Sequence, residues 1–542
     1  MRAKEPVILP EKYYLDYFNY LIEFVCTHYD HVLDAPEYLF IQDFNNLSED
    51  AKCLYLRFSN RRGDFFRFSK VQYAEIQDKE SAKNELLHHA FIDINHSLDT
   101  LQLKLFTKSE LVNIFEFLDR KSTKATILSE LSEEDVPLLF DQEEIIEVQK
   151  NQEVAFLKLL FFGNRYHQMT EFVIRDVGHV KLQPLDASKF KPWFQSRAEA
   201  LGVMHISQLK GMIKEIIETG LPLEDYLNEM PWNQWMQHEQ TKSAAEKLLL
   251  KVADHFEKAG LLDLALHYYA LTSMAPARER SIRILEKSDR KEEAVLLARS
   301  ILDRPANATE LTFATDFLNK SGIRISRSMT KRLQQAPSIS LEDTGERVEN
   351  QVLDYFIQQG WTGLHSENFL WRALFGLTFW DELFNQDQGS FHHPLQRQPS
   401  DLHKPEFFLD RAPQLRQRVK SLRTRKQFLT HISQVHQANE GVANRFVYWA
   451  EELMDYLEIM VEKLPLTALK KVMLEIAKQT KENSTGFPDL FIWNASGYHF
   501  YEVKSPNDHL SAQQLFWLDY LSSSGIKCEI MRVNYLKPNA NV

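Results

Sequence analysis

Cysteine is close to absent. Cys26, Cys53 and Cys528 are the only three, far apart and without metal-binding spacing. This excludes a disulfide framework and a cysteine-based zinc module, and a reducing cytoplasm is the expected compartment. Long apolar runs are missing as well. No stretch approaches the roughly 18 to 20 apolar residues needed to span a bilayer, so no membrane partner is expected. The opening MRAKEPVILPEKYYLDYF lacks the apolar core and small-residue cleavage site of a signal peptide. Positive charge is in deficit: 64 Lys and Arg against 76 Asp and Glu give −12, which taken alone argues against nucleic acid. What remains, 542 residues with 44% hydrophobic and 26% charged, is a globular profile with length for three or four domains.

The average charge conceals local patches. From Arg411 to Asn439 stand Arg411, Arg416, Arg418, Lys420, Arg423, Arg425 and Lys426 with no acidic residue between them, more than a solvated helix face needs. A second cluster, Arg278, Arg280, Arg283, Lys287, Arg290 and Lys291, is diluted by Glu279 and Glu286, and reads equally well as a solvated face.

Along the chain, residues 1–95 combine an aromatic amphipathic helix, YYLDYFNYLIEFV, with strand-like alternation in KCLYLRFSNRRGDFFRFS. Cys53, Tyr55 and Arg57 would share one face, Leu54, Leu56 and Phe58 the other, with a basic hairpin tip at Arg61 and Arg62. In residues 96–185, Thr107 and Glu110 form a capping-box pattern before an apolar stripe of Leu111, Ile114, Phe115 and Leu118. A second short helix is expected from Ser122. The pair resembles the SAP-type DNA-binding motif, with Arg120, Lys121 and Lys124 as its basic edge; any helical hairpin gives the same pattern. Residues 186–340 read as consecutive helices similar to tetratricopeptide pairs, with small residues at Ala265 and Ala294. Pro337 and Gly345 punctuate their end.

The remaining 341–542 contain GFPDLFIWNASGYHFYEVKSPNDHLSAQQLFWL, Gly486 to Leu518. Two β-branched and aromatic runs flank NASG, a turn signal. Period-two alternation puts Glu502 and Lys504 on one face, with Val503 pointing away. If Asn494 pairs with Gly497, Asp489 stands opposite Glu502, with Cβ atoms about 4.5 to 5.5 Å apart. A one-residue slip would separate them, and Ala495-Ser496 is not a favoured two-residue turn. Two such carboxylates repel unless a cation lies between them, and oxygen ligands favour Mg2+ or Mn2+ over zinc. Lys504 could then position an attacking water or stabilise a phosphoryl oxygen, which suits metal-assisted phosphodiester hydrolysis. Against this stands a surface hairpin whose charges are decorative, worth under about 1 kcal/mol.

The flanks favour the first reading. Glycine and proline before Asp489, Glu502-x-Lys504, SPND, and a helix with Ser511, Gln514 and Trp517 resemble the VRR-NUC branch of the PD-(D/E)xK nucleases. GWTGLHSENFLWRALFGLTFWDELF, Gly360 to Phe384, resembles the GW-x-G-x-H-x-E helix of the Fanconi-anaemia-associated structure-specific nucleases. The resemblance implies an α+β multidomain chain: mostly helical N-terminal, SAP-like and repeat regions before a restriction-endonuclease-like α/β nuclease domain. It implies Glu367, Asp489, Glu502 and Lys504 as catalytic residues. The first three would bind metal with the Val503 carbonyl, and Gln514 would support them. Glu367 is expected to begin a helix, and Trp361 and His365 to support it. The DNA contacts would come from Arg416, Lys420, Arg423, Arg425 and Lys426, helped by Lys121 and Lys124. The implied activity is cleavage of 5′ flaps and 5′-to-3′ exonuclease action on branched DNA in interstrand crosslink repair. Without cysteines for the ubiquitin-binding zinc finger of eukaryotic members, the chain resembles the compact bacterial form, nucleoid-associated in the cytoplasm. The alternatives are a Holliday-junction-type resolvase, and a non-catalytic repair scaffold.

Overall fold

The computed structural model describes residues 9–536 apart from 62, 166, 179, 221, 324–332, 334 and 507, so Arg62 lies outside the described residues. Two compact units emerge: 1–179 with 191–241, and 180–190 with 242–542. Among the described residues no helix is long and apolar enough to cross a membrane.

In the first unit the expected strands around Cys53 are a helix, Glu49–Ser59. Ser48 caps it, accepting from the Ala51 N–H, and Glu49 and Asp50 sit where the helix dipole favours negative charge. Ala51, Cys53, Leu54, Tyr55, Leu56 and Phe58 are all buried. A helix surrounded on most sides loses its 3.6-residue stripe, and a short run of it then mimics alternation. Past Gly63 there is one strand, β1 (Phe65–Arg67), which with β2 (Ile92–Ile94) and β3 (Ile145–Val148) forms a sheet of order β1-β3-β2. One sheet therefore spans the boundary expected at residue 95. The two SAP-like helices are Lys108–Ile114 and Lys124–Glu130. The first has the Thr107–Glu110 capping box; Thr123 rather than Ser122 caps the second. Leu111, Phe115 and Ile127 share their core with Ile145 of β3.

The second unit opens with helices that include Ala277–Lys287, Lys291–Asp303 and Ala308–Lys320. Their core alternates Ile282, Leu285, Ile301 and Phe317 with Ala294, Ala298 and Ala314, whose small side chains permit close helix approach. The basic cluster here is neutralised in place: Arg278 pairs with Glu310, Arg280 with Glu257, Arg283 with Glu279 and Arg290 with Glu293.

A five-stranded sheet follows, of order β4-β8-β7-β6-β5. It comprises β4 (Ser338–Leu341), β5 (Thr362–His365), β6 (Leu490–Asn494), β7 (Gly497–Lys504) and β8 (Cys528–Tyr535). The three from β5 to β7 run antiparallel to one another; β8 pairs parallel with β7 and β4. Alternation along the strands divides two cores. Leu490, Ile492, Tyr501, Val503 and Met531 meet the helix Val348–Gln358 through Val352 and Phe356. Phe491, Phe500, Cys528 and Ile530 meet the larger layer containing the helices Phe369–Thr378, Leu466–Lys478 and Ala512–Ser523. The chain is thus a mostly helical N-terminal region followed by a sheet-containing nuclease-like domain.

Candidate active site

The turn sets the register. Asn494 pairs with Gly497, and the ladder runs back to Leu490 with Tyr501. The Asn494 side chain makes the unusual Ala-Ser turn workable, accepting from the backbone N–H of Ser496 at 2.8 Å and of Gly497 at 3.1 Å. One step beyond the ladder, Asp489 stands opposite Glu502. The Phe500 N–H donates to Lys527 on the β8 side, so odd-numbered residues of β7 direct their backbone groups toward β6. Leu490–Tyr501 is then a hydrogen-bonded pair, and the next, Asp489–Glu502, is a non-hydrogen-bonded one, where facing side chains come closest.

Pro488 ends the ladder. It stands opposite Val503 at a position that would otherwise exchange both backbone hydrogen bonds, and it has no N–H to give. The Val503 N–H donates instead to Asp489 Oδ2 at 2.8 Å, and its carbonyl is left facing the same edge. Phe487 is clamped between Trp517, at 4.1 Å between ring centroids, and Trp371, at 5.2 Å. Gly486 has φ +83°, and a Cβ there would lie 2.7 Å from Gln513 Cγ. The glycine, aromatic and proline before the aspartate therefore fix where its carboxylate points.

Glu502 is fully buried and Lys504 nearly so. Lys504 Nζ lies 2.9 Å from Glu502 Oε1 and donates to Gln514 Oε1 at 3.2 Å. Gln514 is oriented by its capping box with Ser511, whose N–H it accepts at 2.9 Å. The Lys504–Glu502 approach is a charge contact, because neither Glu502 oxygen accepts a hydrogen bond of good geometry. Burial, with the Asp489 charge behind it, pushes the Glu502 carboxyl up to about 8 against the pull of Lys504. Burial likewise raises Asp489 to about 6, opposed by the Val503 N–H and by Lys504. A buried carboxylate facing a second one, with one lysine beside the pair, carries an excess negative charge that is costly unless a further cation shares the site. Asp489 and Glu502 therefore fit a divalent ion.

Glu367 departs from expectation. The segment Thr362–His365 is strand β5, not helix, and Glu367 lies on the turn before the helix Phe369–Thr378, with φ +34°. The Ser366 and Glu367 N–H groups both donate to the Asp489 carbonyl, at 2.8 and 3.0 Å, which explains the tight turn. The Glu367 carboxylate is exposed and accepts from Asn368 Nδ2 at 2.9 Å. Its charge is felt at Glu502, raising that carboxyl further. Still, among the described residues no three His, Cys, Asp or Glu side chains gather closely enough to hold a metal. Asp489, Glu502, Lys504 and Gln514 are thus brought together, and Glu367 is adjacent but turned outward. Asn368, missed in the sequence, ties Glu367 to the Phe487 N–H, which its Oδ1 accepts at 3.2 Å; no local signal marked it. Trp361 packs by its ring 6.1 Å from His499, away from the carboxylates.

The basic segment is less free than its composition suggests. It is two helices, Pro405–Ser421 and Arg425–Asn439, joined through a link where Thr424 caps the second. Arg423 lies in the link, so it does not share a helical face with Arg416 and Lys420. Arg411 is buried on Asp401, and Arg418 pairs with Asp381 and Glu382. Arg425 donates to the Val461 and Leu464 carbonyls at the end of a neighbouring helix. Arg416, Lys420, Arg423, Arg425 and Lys426 remain exposed. In the first unit Lys121 is exposed, whereas Lys124 donates to the Lys104 carbonyl at 3.1 Å.

Comparison with known proteins agrees with this geometry. Residues 12–93 match the "FAN1, HTH domain" family model, and residues 423–535 match the "VRR-NUC domain". A Fanconi-associated nuclease 1 homolog of Pseudomonas aeruginosa is 29% identical over 538 residues, 94% of each chain. One from Arabidopsis thaliana is 25% identical over 95% of this chain and 66% of its own length. The crystal structure of paFAN1 bound to 2-nucleotide 5′-flap DNA with a gap superposes with TM-score 0.87 at 27% identity, covering 98% of this chain and 100% of that one. Over nearly its whole length the chain is thus similar to Fanconi-associated nuclease 1 homologs, and its residues 423–535 match the VRR-NUC domain.

Proposed function

We propose that the chain is a metal-dependent, structure-specific nuclease that cuts flapped DNA by phosphodiester hydrolysis. The observation that carries this is the buried Glu502 carboxylate opposite Asp489, with Lys504 at 2.9 Å but no hydrogen bond of good geometry. Such an arrangement is unfavourable in a merely structural hairpin and useful at a phosphoryl-transfer centre. The overall similarity to paFAN1, solved on 5′-flap DNA with a gap, supplies the substrate class.

Asp489 and Glu502 would hold Mg2+ or Mn2+, with the Val503 carbonyl facing the same edge and Glu367 joining by releasing Asn368. When bound, the ion would offset charge developing on the phosphoryl oxygens. Lys504, held by Gln514 and Glu502, orients the attacking water and donates to the oxygen on which charge grows. The water oxygen bonds to phosphorus as one ester oxygen leaves. The reading extends to 5′-to-3′ exonuclease action and crosslink repair in a bacterial cytoplasm, with Arg416, Lys420, Arg423 and Lys426 contacting the phosphate backbone.

A cleavage assay with Mg2+, Mn2+ or excess chelator, on 5′-flap and four-way substrates in parallel, tests this. Flap cleavage that needs the ion is expected. Symmetric cutting of the four-way substrate would instead support a resolvase, and no cleavage under any condition would leave a scaffold.

A further inference from the structure

The segment 442–450 contains no helix and only a single β-bridge, from Val442 to Lys181, yet it is firmly seated. Phe446 and Val447 are buried, and the Phe446 ring lies 4.7 Å from that of Phe375. The Trp449 Nε1–H donates to the Val442 carbonyl at 2.9 Å and closes the loop on itself. On the helix Phe369–Thr378, Gly376 makes room for it. A Cβ there would lie 2.7 Å from Val447 Cγ2 and 3.0 Å from Phe446 Cβ. With its apolar residues anchored, such a loop presents the others as a fixed surface.

Those others are Arg445 and Tyr448, both exposed, Tyr448 at 74%. Arg372, on the seating helix, donates from Nη2 to the Arg445 carbonyl at 2.6 Å. Its Nε–H is buried and makes no hydrogen bond. Burial first, then the Arg445 charge, draws Arg372 downward, while Glu367 opposes both. Two guanidiniums thus lie within each other's field and next to Glu367, and neither forms an ion pair among the described residues. The Tyr448 ring stands 6.2 Å from that of Phe369, which follows Glu367 and Asn368 directly. Like charges held together without an ion-pair partner call for an anion, and the planar guanidinium fork matches phosphate. An exposed ring beside them offers a stacking face that any base can use.

We propose that Arg372, Arg445 and Tyr448 form a nucleotide subsite beside the catalytic carboxylates, the guanidiniums gripping one backbone phosphate and Tyr448 stacking on the adjoining base. This rests on the reading of the chain as a DNA nuclease and adds how the strand is held next to the cut. The subsite positions the strand without selecting sequence.

The test uses the full chain and a 5′-flap duplex series carrying one abasic residue or one methylphosphonate at successive positions around the junction. Affinity is read in excess chelator and single-turnover cleavage in Mg2+. Tyr448→Ala should weaken binding about tenfold, within the range for lost base stacking, and Tyr448→Phe should restore it. At one position, the abasic residue that costs the natural protein affinity should cost Tyr448→Ala nothing more. Arg445→Ala should likewise become insensitive to one neighbouring methylphosphonate. Its backbone carbonyl, the acceptor for Arg372, is kept, so the loop stays seated. Additive losses at every position, or unchanged affinity in both variants, would overturn the subsite. Failure of the nuclease reading looks different: the natural protein would not cleave in metal, and the affinity series would still judge the subsite.

Discussion

At Glu502 the fold keeps a carboxylate where it is least stable as an anion. Its folded pKa is raised above the ordinary glutamate value to about 8. Stability from the protonated group is therefore fully present below about pH 4.5 and is lost as pH rises through about 8. In metal-free protein, Glu502→Gln should melt progressively higher than the natural chain as pH goes from 5 to 9, in a thermal melt at each pH. Adding Mg2+ at pH 8 should raise the melting temperature of the natural chain and leave that of Glu502→Gln nearly unmoved. Equal melting curves at pH 9 would show that the carboxylate is not held charged in a dry site. Asp489→Ala and Lys504→Ala should abolish cleavage. Flap affinity in gel shifts should stay within a few-fold for both, because these groups serve the chemistry more than the docking. At this scale the sequence was legible where charge broke an apolar alternation, at Asp489, Glu502 and Lys504. The freeing of the Val503 carbonyl by Pro488 needs the strand register as well.

Among the elements, the basic helices show how misleading a sequence window is for charge. Arg411 opens a run to Asn439 without an acidic residue, yet it is 1% exposed and bound to Asp401, Ser390 and the Glu382 carbonyl. Arg411→Ala should cost about 3–5 kcal/mol in denaturant unfolding, since it strands a partly buried Asp401. Reversing Arg416, Lys420 and Arg423 to Glu should leave stability nearly unchanged but weaken flap binding far more than reversing as many scattered lysines. Equal binding by the two triple variants would place the DNA path elsewhere. The capping boxes at Thr107, Thr424 and Ser511 are readable from the sequence because a cap is made within four residues.

For the whole molecule, a net charge of −12 does not prevent polyanion binding if the exposed cations are gathered and the acids lie elsewhere. Flap affinity should fall linearly in log–log form with salt, by a slope of about −0.9 per phosphate contact. A salt-independent affinity would mean that the exposed arginines and lysines do not touch the backbone. Excess chelator should remove cleavage while the salt-dependent binding persists, since Arg416, Lys420, Arg423 and Lys426 do not depend on the ion.

The sequence by itself determined the register of the Asp489–Glu502 hairpin and the capping boxes at Thr107 and Ser511, because turns, caps and strand alternation are set by residues a few positions apart. Only the tertiary structure decided that Glu49–Ser59 is a helix, that Arg411 is buried on Asp401, and that Glu367 sits on a strained turn facing outward. It also decided that Arg372 and Arg445, 73 residues apart, meet beside that turn. Burial and charge pairing depend on groups remote in the chain, so they exist only once the elements have packed.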